Sequence, residues 1–480
     1  MEQGNVFFIK AREFCQKRMQ TAVLEDTAAM VAQKMVDQNV SSLVVVSDEK
    51  PVGIITDKDL RNKVILVGAD AREITAENVM SSPLVFVEED DDLFEAVYKM
   101  SKHKIHRIAV VDPGGRLCGI ITDSDILRLQ ANTPQFLIRD IEHAQSIDDL
   151  KKILKEITML VISLHKTGVK TPDIVRLIAH MNDSLLLRII KILKRERFRN
   201  LPGGFAFVAL GSEGRMEQTL KTDQDNAIIY ADDLTVAQVS EIASFSNELV
   251  DSLIEVGVPP CPGGTMAKNP PWRRSLGEWK SVVDKWIAVP SHDSILHYSM
   301  FSDVRTVYGD PNLEFRIKEH IIRRGSENAI FLAHMAKNVV NFEPPLGIFG
   351  KLKLKKEGEH KGLLDVKSGG IFPISDGIKV LALEGGFLTG GTREKIDLLC
   401  QSGSLSRGDG ADLLTSFNFF STVRLRSQIS EIEAGKPPSN FINLDELNNI
   451  EKMSLKIGFE AVKSFQNLLK LRFRLDFISD

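Results

Sequence analysis

The chain has 480 residues, of which 43% are hydrophobic and 26% charged, with a formal net charge of −4. This is the composition of a soluble globular protein too long for one ordinary core, and about three domains are expected. The near-neutral balance gives no electrostatic footprint for general nucleic-acid binding. No apolar run is long enough to span a bilayer, and Met1–Lys10 lacks the basic stretch and apolar core of a signal peptide, so a cytoplasmic protein with no membrane partner is expected. Cys15, Cys118, Cys261 and Cys400 are scattered without a Cys-x-x-Cys pair or a neighbouring His set, which argues against a zinc site or a disulfide framework.

The front of the chain repeats. Gly53-Ile-Ile-Thr-Asp-Lys-Asp-Leu60 returns 66 residues later as Gly119-Ile-Ile-Thr-Asp-Ser-Asp-Ile126. Each copy follows a helix-like segment and an apolar strand, Leu43–Val46 or Ile108–Val111, and precedes a helical pattern starting at Asp59 or Asp125. A Thr hydroxyl at each strand end, Thr56 or Thr122, can meet a phosphate near a helix N-terminus, and Asp59 or Asp125 can accept from ribose hydroxyls. A plain helix cap fits Thr56 and Thr122 equally well. His103, Lys104, His106 and Arg107 could add positive charge for phosphates, although such a run more often forms a solvated loop. The two copies resemble a tandem pair of CBS (cystathionine-beta-synthase) domains over residues 1–133, with repeats at about 10–70 and 75–133. The resemblance implies pseudo-twofold packing, clefts for AMP, ADP or ATP in which the matching Thr and Asp take the roles above, and a homodimer formed through the pair.

Residues 134–200 carry apolar positions at helical spacing, including Ile138, Ile141, Leu150, Ile153, Ile157 and Leu160, and read as a helical connector ended by Pro202-Gly203-Gly204. Phe205–Leu210 is a buried-strand pattern, and Gly211-Ser212 ends it in a turn where backbone N–H groups can approach a triphosphate. A second strand is expected from Asp225 to Tyr230. Asp223 and Asp225, one residue apart, then share a face, and their oxygens can converge on two divalent ions about 4 Å apart for in-line attack at phosphorus. An Asp-x-Asp pair alone is more often an exposed acidic turn; the order of strand, Gly-Ser turn and Asp-x-Asp strand is what makes it specific.

On Gly211-Ser-Glu-Gly-Arg-Met-Glu-Gln218 and Thr222-Asp-Gln-Asp-Asn226 the chain resembles the polymerase-beta-like nucleotidyltransferase superfamily. Within it, the closer likeness is to the bacterial family of CBS-domain-containing nucleotidyltransferases, similar to the catalytic part of protein-PII uridylyltransferase. The resemblance covers nearly the whole chain. It implies an α/β multidomain protein: the CBS pair, the helical connector, a polymerase-beta-like mixed-sheet core at 201–312, and a helical substrate-binding domain at 313–480. It also implies a third acid on a neighbouring strand. Ile295–Tyr308 alternates like a strand and carries Asp303, which fits that place.

After a helix expected at about Val236–Val256, the Pro- and Gly-rich loop Pro259–Arg274 carries Lys268, Asn269, Arg273 and Arg274. It suits recognition of nucleotide or acceptor, and equally suits a rigid packing loop. Lys367 and Ser368 could face nucleotide phosphates, with a plain turn the commoner outcome. The expected function is magnesium-dependent transfer of an NMP from an NTP to a protein or small-molecule acceptor, with release of pyrophosphate and adjustment by adenine nucleotide on the CBS pair. The resemblance implies that Asp223, Asp225 and Asp303 hold the metal as two Mg2+ ions; Gly211 and Ser212 would cradle phosphates, and Arg215, oriented by Glu217, would neutralise the leaving pyrophosphate. The alternative is a non-catalytic nucleotide-sensing regulator. His292-Asp293 lacks the further His and Asp ligands of a dinuclear phosphohydrolase and reads as a turn.

Overall fold

The computed structural model describes residues 10–15, 21–38, 40–123, 125, 134–220, 223–347 and 351–477. The chain divides into two compact units, Met1–Thr133 and Pro134–Asp480. Among the described residues, no helix is long and apolar enough to cross a membrane.

In the first unit the repeat is a repeat of topology. Strands β1 (Thr21–Val23), β2 (Ser42–Ser47) and β3 (Lys50–Thr56) form one sheet, with β1 parallel and β3 antiparallel to β2. Strands β4 (Phe86–Glu88), β5 (Arg107–Val111) and β6 (Leu117–Thr122) form the second in the same order and sense. Each central strand has a register shift at the matching place, Val45/Val46 and Val110/Val111. The helices Ala28–Gln38 and Leu93–His103 close the two cores with Ala28, Val31 and Met35 and with Leu93, Ala96 and Met100. The helix-like, strand, strand order read in each copy reflects this burial at period 3.6 and then 2.

The second unit is organised by one sheet in the order β10-β7-β8-β9: β7 (Phe205–Ala209), β8 (Asn226–Tyr230), β9 (Arg273–Ser275) and β10 (Arg305–Gly309). Only β9 runs parallel to its neighbour; the other pairs are antiparallel. All five residues of β7 are buried, because its alternate side chains feed two different cores. Phe205 and Phe207 pack with the helices Ile147–Lys166, Thr171–Glu196 and Val236–Val256, while Ala206 and Val208 pack with the helices Leu276–Ala288, Pro311–Ser326 and those beyond. A strand covered on both faces reads as a continuous apolar run, which is why Phe205–Leu210 carried no alternation. The helical connector is therefore one cover of this sheet rather than a spacer.

Two expectations need correction. Ile295–Tyr308 is not one strand: His292–Phe301 is a helix, capped by Ser291, whose hydroxyl accepts from the Ser294 N–H, and only Arg305–Gly309 is extended. The buried Ile295, Tyr298, Ser299 and Phe301 have helical spacing, and the turn at His292-Asp293 is the first turn of that helix. The Asp-x-Asp strand begins at Asn226, so Asp223 and Asp225 lie just before β8, where Gln224 pairs with Pro260. Lys221 and Thr222 of the motif, and the helical pattern after Asp125, fall outside the described residues. The helix Val236–Val256 lies where the periodicity predicts it.

Gly309 closes the sheet edge. Its φ is +99°, and a Cβ there would sit 2.1 Å from the Phe205 carbonyl oxygen, so only glycine lets β10 end across the backbone of β7. Gly309→Ala should lower stability by about 1–3 kcal/mol, read as a shift in the urea midpoint; an unchanged midpoint would mean that this edge relaxes freely.

Candidate functional site

The turn after β7 and the acids before β8 are joined through the backbone. The Leu210 N–H donates to the Asp225 carbonyl at 2.9 Å, and Gly211, at φ +52°, starts a single helical turn, Gly211–Gly214. A Cβ on Gly211 would touch an Asp225 carboxylate oxygen at 3.4 Å, so the Gly-Ser turn and Asp225 adjoin. Burial raises the Asp225 carboxyl above the usual range; the Cys261 thiol and Lys367 oppose that, and Asp223 adds to it. Glu213 on the same turn is pushed up to about 8 by burial and by Asp225 and Asp183, with Arg305 opposing.

Two cations from the C-terminal helices are electrostatically coupled to these acids. Lys367 opens a π-helical turn, Lys367–Ile371, and is solvent-accessible yet surrounded by protein, as a cleft-lining group is. Burial and the nearby Arg424 lower it to about 8, against the pull of Asp223 and Asp225. Arg424 is 6% exposed and lowered to about 10 by burial, with Asp365 and Asp223 opposing. Its Nε donates to Asn440 Oδ1 at 2.9 Å.

The loop Pro259–Arg274 is a packing loop that sets the position of the acids. Gln224 N–H donates to the Pro259 carbonyl, Ala267 N–H to Asn226 Oδ1, and Asn226 N–H to the Thr265 carbonyl. Its polar side chains are spent locally. Lys268 pairs with Asp251 at 2.6 Å, Arg273 donates to Ser246 and to two loop carbonyls, Asn269 donates to the Gly264 carbonyl, and Arg274 to that of Pro271.

Asp303 packs against the turn Gly211–Gly214, its carbonyl lying where a Cβ on Gly214 would be. Its side chain is fully buried between the helix His292–Phe301 and β10, held by Arg215 and by Lys379 at 2.7 Å, with Lys395 at 3.9 Å. Burial alone would raise its carboxyl, but these three cations hold it at about 2. Arg215 also donates from Nε to Glu217 at 2.7 Å, and Glu217 accepts from the Thr392 N–H. Lys379 also meets Asp376 at 3.1 Å and the Ser299 carbonyl at 2.7 Å, and Ser299 donates to Asp376. The structure thus brings Asp223, Asp225, Gly211 and Ser212 together, and commits Asp303 and Arg215 to a buried network. Among the described residues, no three acidic, His or Cys groups close into a metal-binding set.

The first unit presents a cleft of about 650 Å³. Thr56 and Asp59 line it together with Arg61, Lys63, Lys104, His106 and Arg107, and with the apolar Ile54, Leu84, Val85 and Ile105. Lys104, His106 and Arg107 of the basic run therefore lie at a cavity rather than in open solvent. Thr56 also caps the helix Asp57–Leu60: its N–H and hydroxyl donate to Asp59 at 3.0 and 2.6 Å. Against burial, the hydrogen bonds from Thr56 and Ser81 hold the Asp59 carboxyl low. Thr122 and Asp125 repeat the arrangement at 3.0 and 2.7 Å.

Sequence reasoning did not single out Glu213, Lys379, Lys395 or Arg424. A signal existed for Lys379, a cation inside the apolar run Ile378–Leu383, because a buried Lys must be paired.

Comparisons with known proteins agree with this layout. A family model described as "CBS domain" matches residues 11–65 and 76–132. One described as "Putative nucleotidyltransferase DUF294" matches 155–293, and one described as "Putative nucleotidyltransferase substrate binding domain" matches 329–473. An uncharacterized protein of Methanopyrus kandleri is 34% identical over 150 residues, 31% of this chain and 72% of that one. Inosine-5'-monophosphate dehydrogenase of Thermoplasma acidophilum is 32% identical over 122 residues, and the match spans only 24% of that enzyme and 24% of this chain. Among solved structures, an uncharacterized conserved protein from Pyrococcus horikoshii is 26% identical with a TM-score of 0.25, covering 26% of this chain and 96% of that one. A CBS domain pair in complex with 5-methylthioadenosine and S-adenosyl-L-methionine is 29% identical with a TM-score of 0.24, covering 26% and 96%. The chain belongs to the CBS-domain proteins. Its second unit carries the nucleotidyltransferase domain and the C-terminal substrate-binding domain of the descriptions above.

Asp303→Asn should destabilise the fold by about 3–5 kcal/mol at pH 7, because it leaves buried cations without their partner. A carboxyl depressed from 3.8 to about 2 in the fold stabilises above its unfolded value and loses that contribution as pH falls through about 2. The gap between wild type and variant should therefore hold from pH 7 to about 4 and narrow below it; a gap independent of pH in denaturant titrations would count against the ion-pair account.

Proposed function

We propose that the second unit is a magnesium-dependent nucleotidyltransferase that moves an NMP from an NTP to a protein or small-molecule acceptor and releases pyrophosphate. The observation that carries this reading is the Asp223–Asp225 pair beside the Gly211-Ser212 turn, coupled electrostatically to Lys367 and Arg424 from the substrate-binding helices. The acids suit magnesium, since they are hard oxygen donors, and burial, with repulsion from Asp223 adding to it, raises the Asp225 carboxyl, an unfavourable charge that a dication relieves. Magnesium bound there would supply charge neutralisation at the phosphoryl oxygens.

The chain's own residues do the rest. Gly211 and Ser212 leave room for phosphate oxygens against the backbone, and Lys367 and Arg424 bring positive charge to the far side of the cleft. Arg215 acts from behind the turn, fixing Gly211–Gly214 against the buried network instead of meeting the leaving pyrophosphate directly. Asp303 anchors that network.

Asp223→Asn with Asp225→Asn should reduce transfer from labelled NTP by at least about a hundredfold, and chelation of magnesium should do the same to wild type. The melting temperature should stay level or rise, because like-charge repulsion is removed. Wild-type transfer in the double variant would eliminate the site.

The cleft of the first unit is proposed to bind AMP, ADP or ATP and to adjust that activity. Ile54, Leu84, Val85 and Ile105 suit an adenine ring; Arg61, Lys104 and Arg107 suit phosphates. Asp59→Ala in the full chain should weaken nucleotide binding by about one to two decades, the cost of a hydrogen bond to a charged group. Calorimetry in which Asp59→Ala binds as wild type would remove Asp59 from the site. A coupling of about 1–3 kcal/mol would change transfer about five- to 150-fold.

A further inference from the structure

A cavity of the second unit, about 440 Å³, touches the scheme above only through Arg215 and Glu217, which are among its lining residues. It lies between the helix Thr171–Glu196, the loop Gly390-Gly391, the helix Thr392–Gln401 and the long helix Arg407–Glu433. Among the described residues, none of Gly211, Ser212, Asp223, Asp225 and Lys367 lines it. Its floor is apolar, from Val175 and Phe417, each 9% exposed.

Its charges are unequal in availability. Arg176 and His180 stand one turn apart on the same exposed helix face, and Arg393 comes from the helix Thr392–Gln401. Among the described residues, the Arg176 and Arg393 side chains make no ion pair or hydrogen bond. The acids of the cavity are already used: Glu217 accepts from Arg215 and the Thr392 N–H, and Glu394 from the Gly391 N–H. With Glu217 paired to Arg215, Arg176 and Arg393 face the one remaining carboxylate, Glu394, and the lining is net positive. Among its lining residues Met216 has φ +57°, a left-handed conformation that a non-glycine residue rarely keeps without a reason in the surrounding structure.

We infer that this cavity is a second ligand site, for a small molecule carrying a phosphate or carboxylate group that Arg176 and Arg393 grip while its apolar part lies on Val175 and Phe417. Two guanidinium groups across a cavity of this volume match the planar, two-point recognition of an oxyanion. The site stands independently of the reaction proposed for the Asp223–Asp225 cleft.

Calorimetric titration of the full chain with inorganic phosphate, glycerol 3-phosphate and citrate separates the two anion types. Saturable binding of at least one probe is expected, weakened about tenfold or more by Arg176→Ala and by Arg393→Ala, with ATP binding as in wild type. Both positions are at least partly exposed, so the variants should fold, which a thermal melt checks. No saturable binding of any probe, or binding unchanged in both variants, would overturn the inference.

Discussion

The second unit depends on one buried balance of charge. Asp303, Glu217 and Asp376 meet Arg215, Lys379 and Lys395 where the turn after β7, the segment before β10 and two helices of the substrate-binding domain converge. Lys379 and Lys395 are each 1% exposed. Taking these charges out of water costs several kcal/mol apiece, so the network is not a simple source of stability. What it does is select a geometry: only one placement of the helices Phe372–Glu384 and Thr392–Gln401 against the core leaves no charge alone. The same placement sets Lys367, just before the first of these helices, where it couples to Asp223 and Asp225.

This separates two kinds of acid that look alike in the sequence. Asp225 sits among carboxylates and burial raises its proton affinity, while Asp303 sits among cations and its proton affinity falls to about 2. Arg215 divides in the same way: burial works against its charge, but Asp303 and Glu217 more than compensate, so it serves the fold.

What could be read in the sequence follows the range of the physics. The repeat, the helix Val236–Val256, the apolar strand β7 and the Gly-Ser turn beside the acid pair are local patterns, and local periodicity and turn chemistry fix them. Ile295–Tyr308 misled because its apolar residues satisfy both periods over a short window, and burial against the Trp279 and Phe331 side of the core decided for helix. The role of Asp303 was not legible at all, since its partners come from positions 215, 379 and 395. Lys268, Arg273 and Arg274 looked like ligand-binding cations because nothing in the sequence shows that Asp251, Ser246 and the loop's own carbonyls already hold them.

The central claim is that metal chemistry belongs to Asp223 and Asp225, with Asp303 as an anchor. Anomalous diffraction from crystals containing Mn2+ and a non-hydrolysable NTP tests it directly. The account predicts manganese on the Asp223 and Asp225 carboxylates, with Asp303 still bound to Arg215 and Lys379. Manganese coordinated by Asp303, or absent from the Asp223–Asp225 pair, would contradict it.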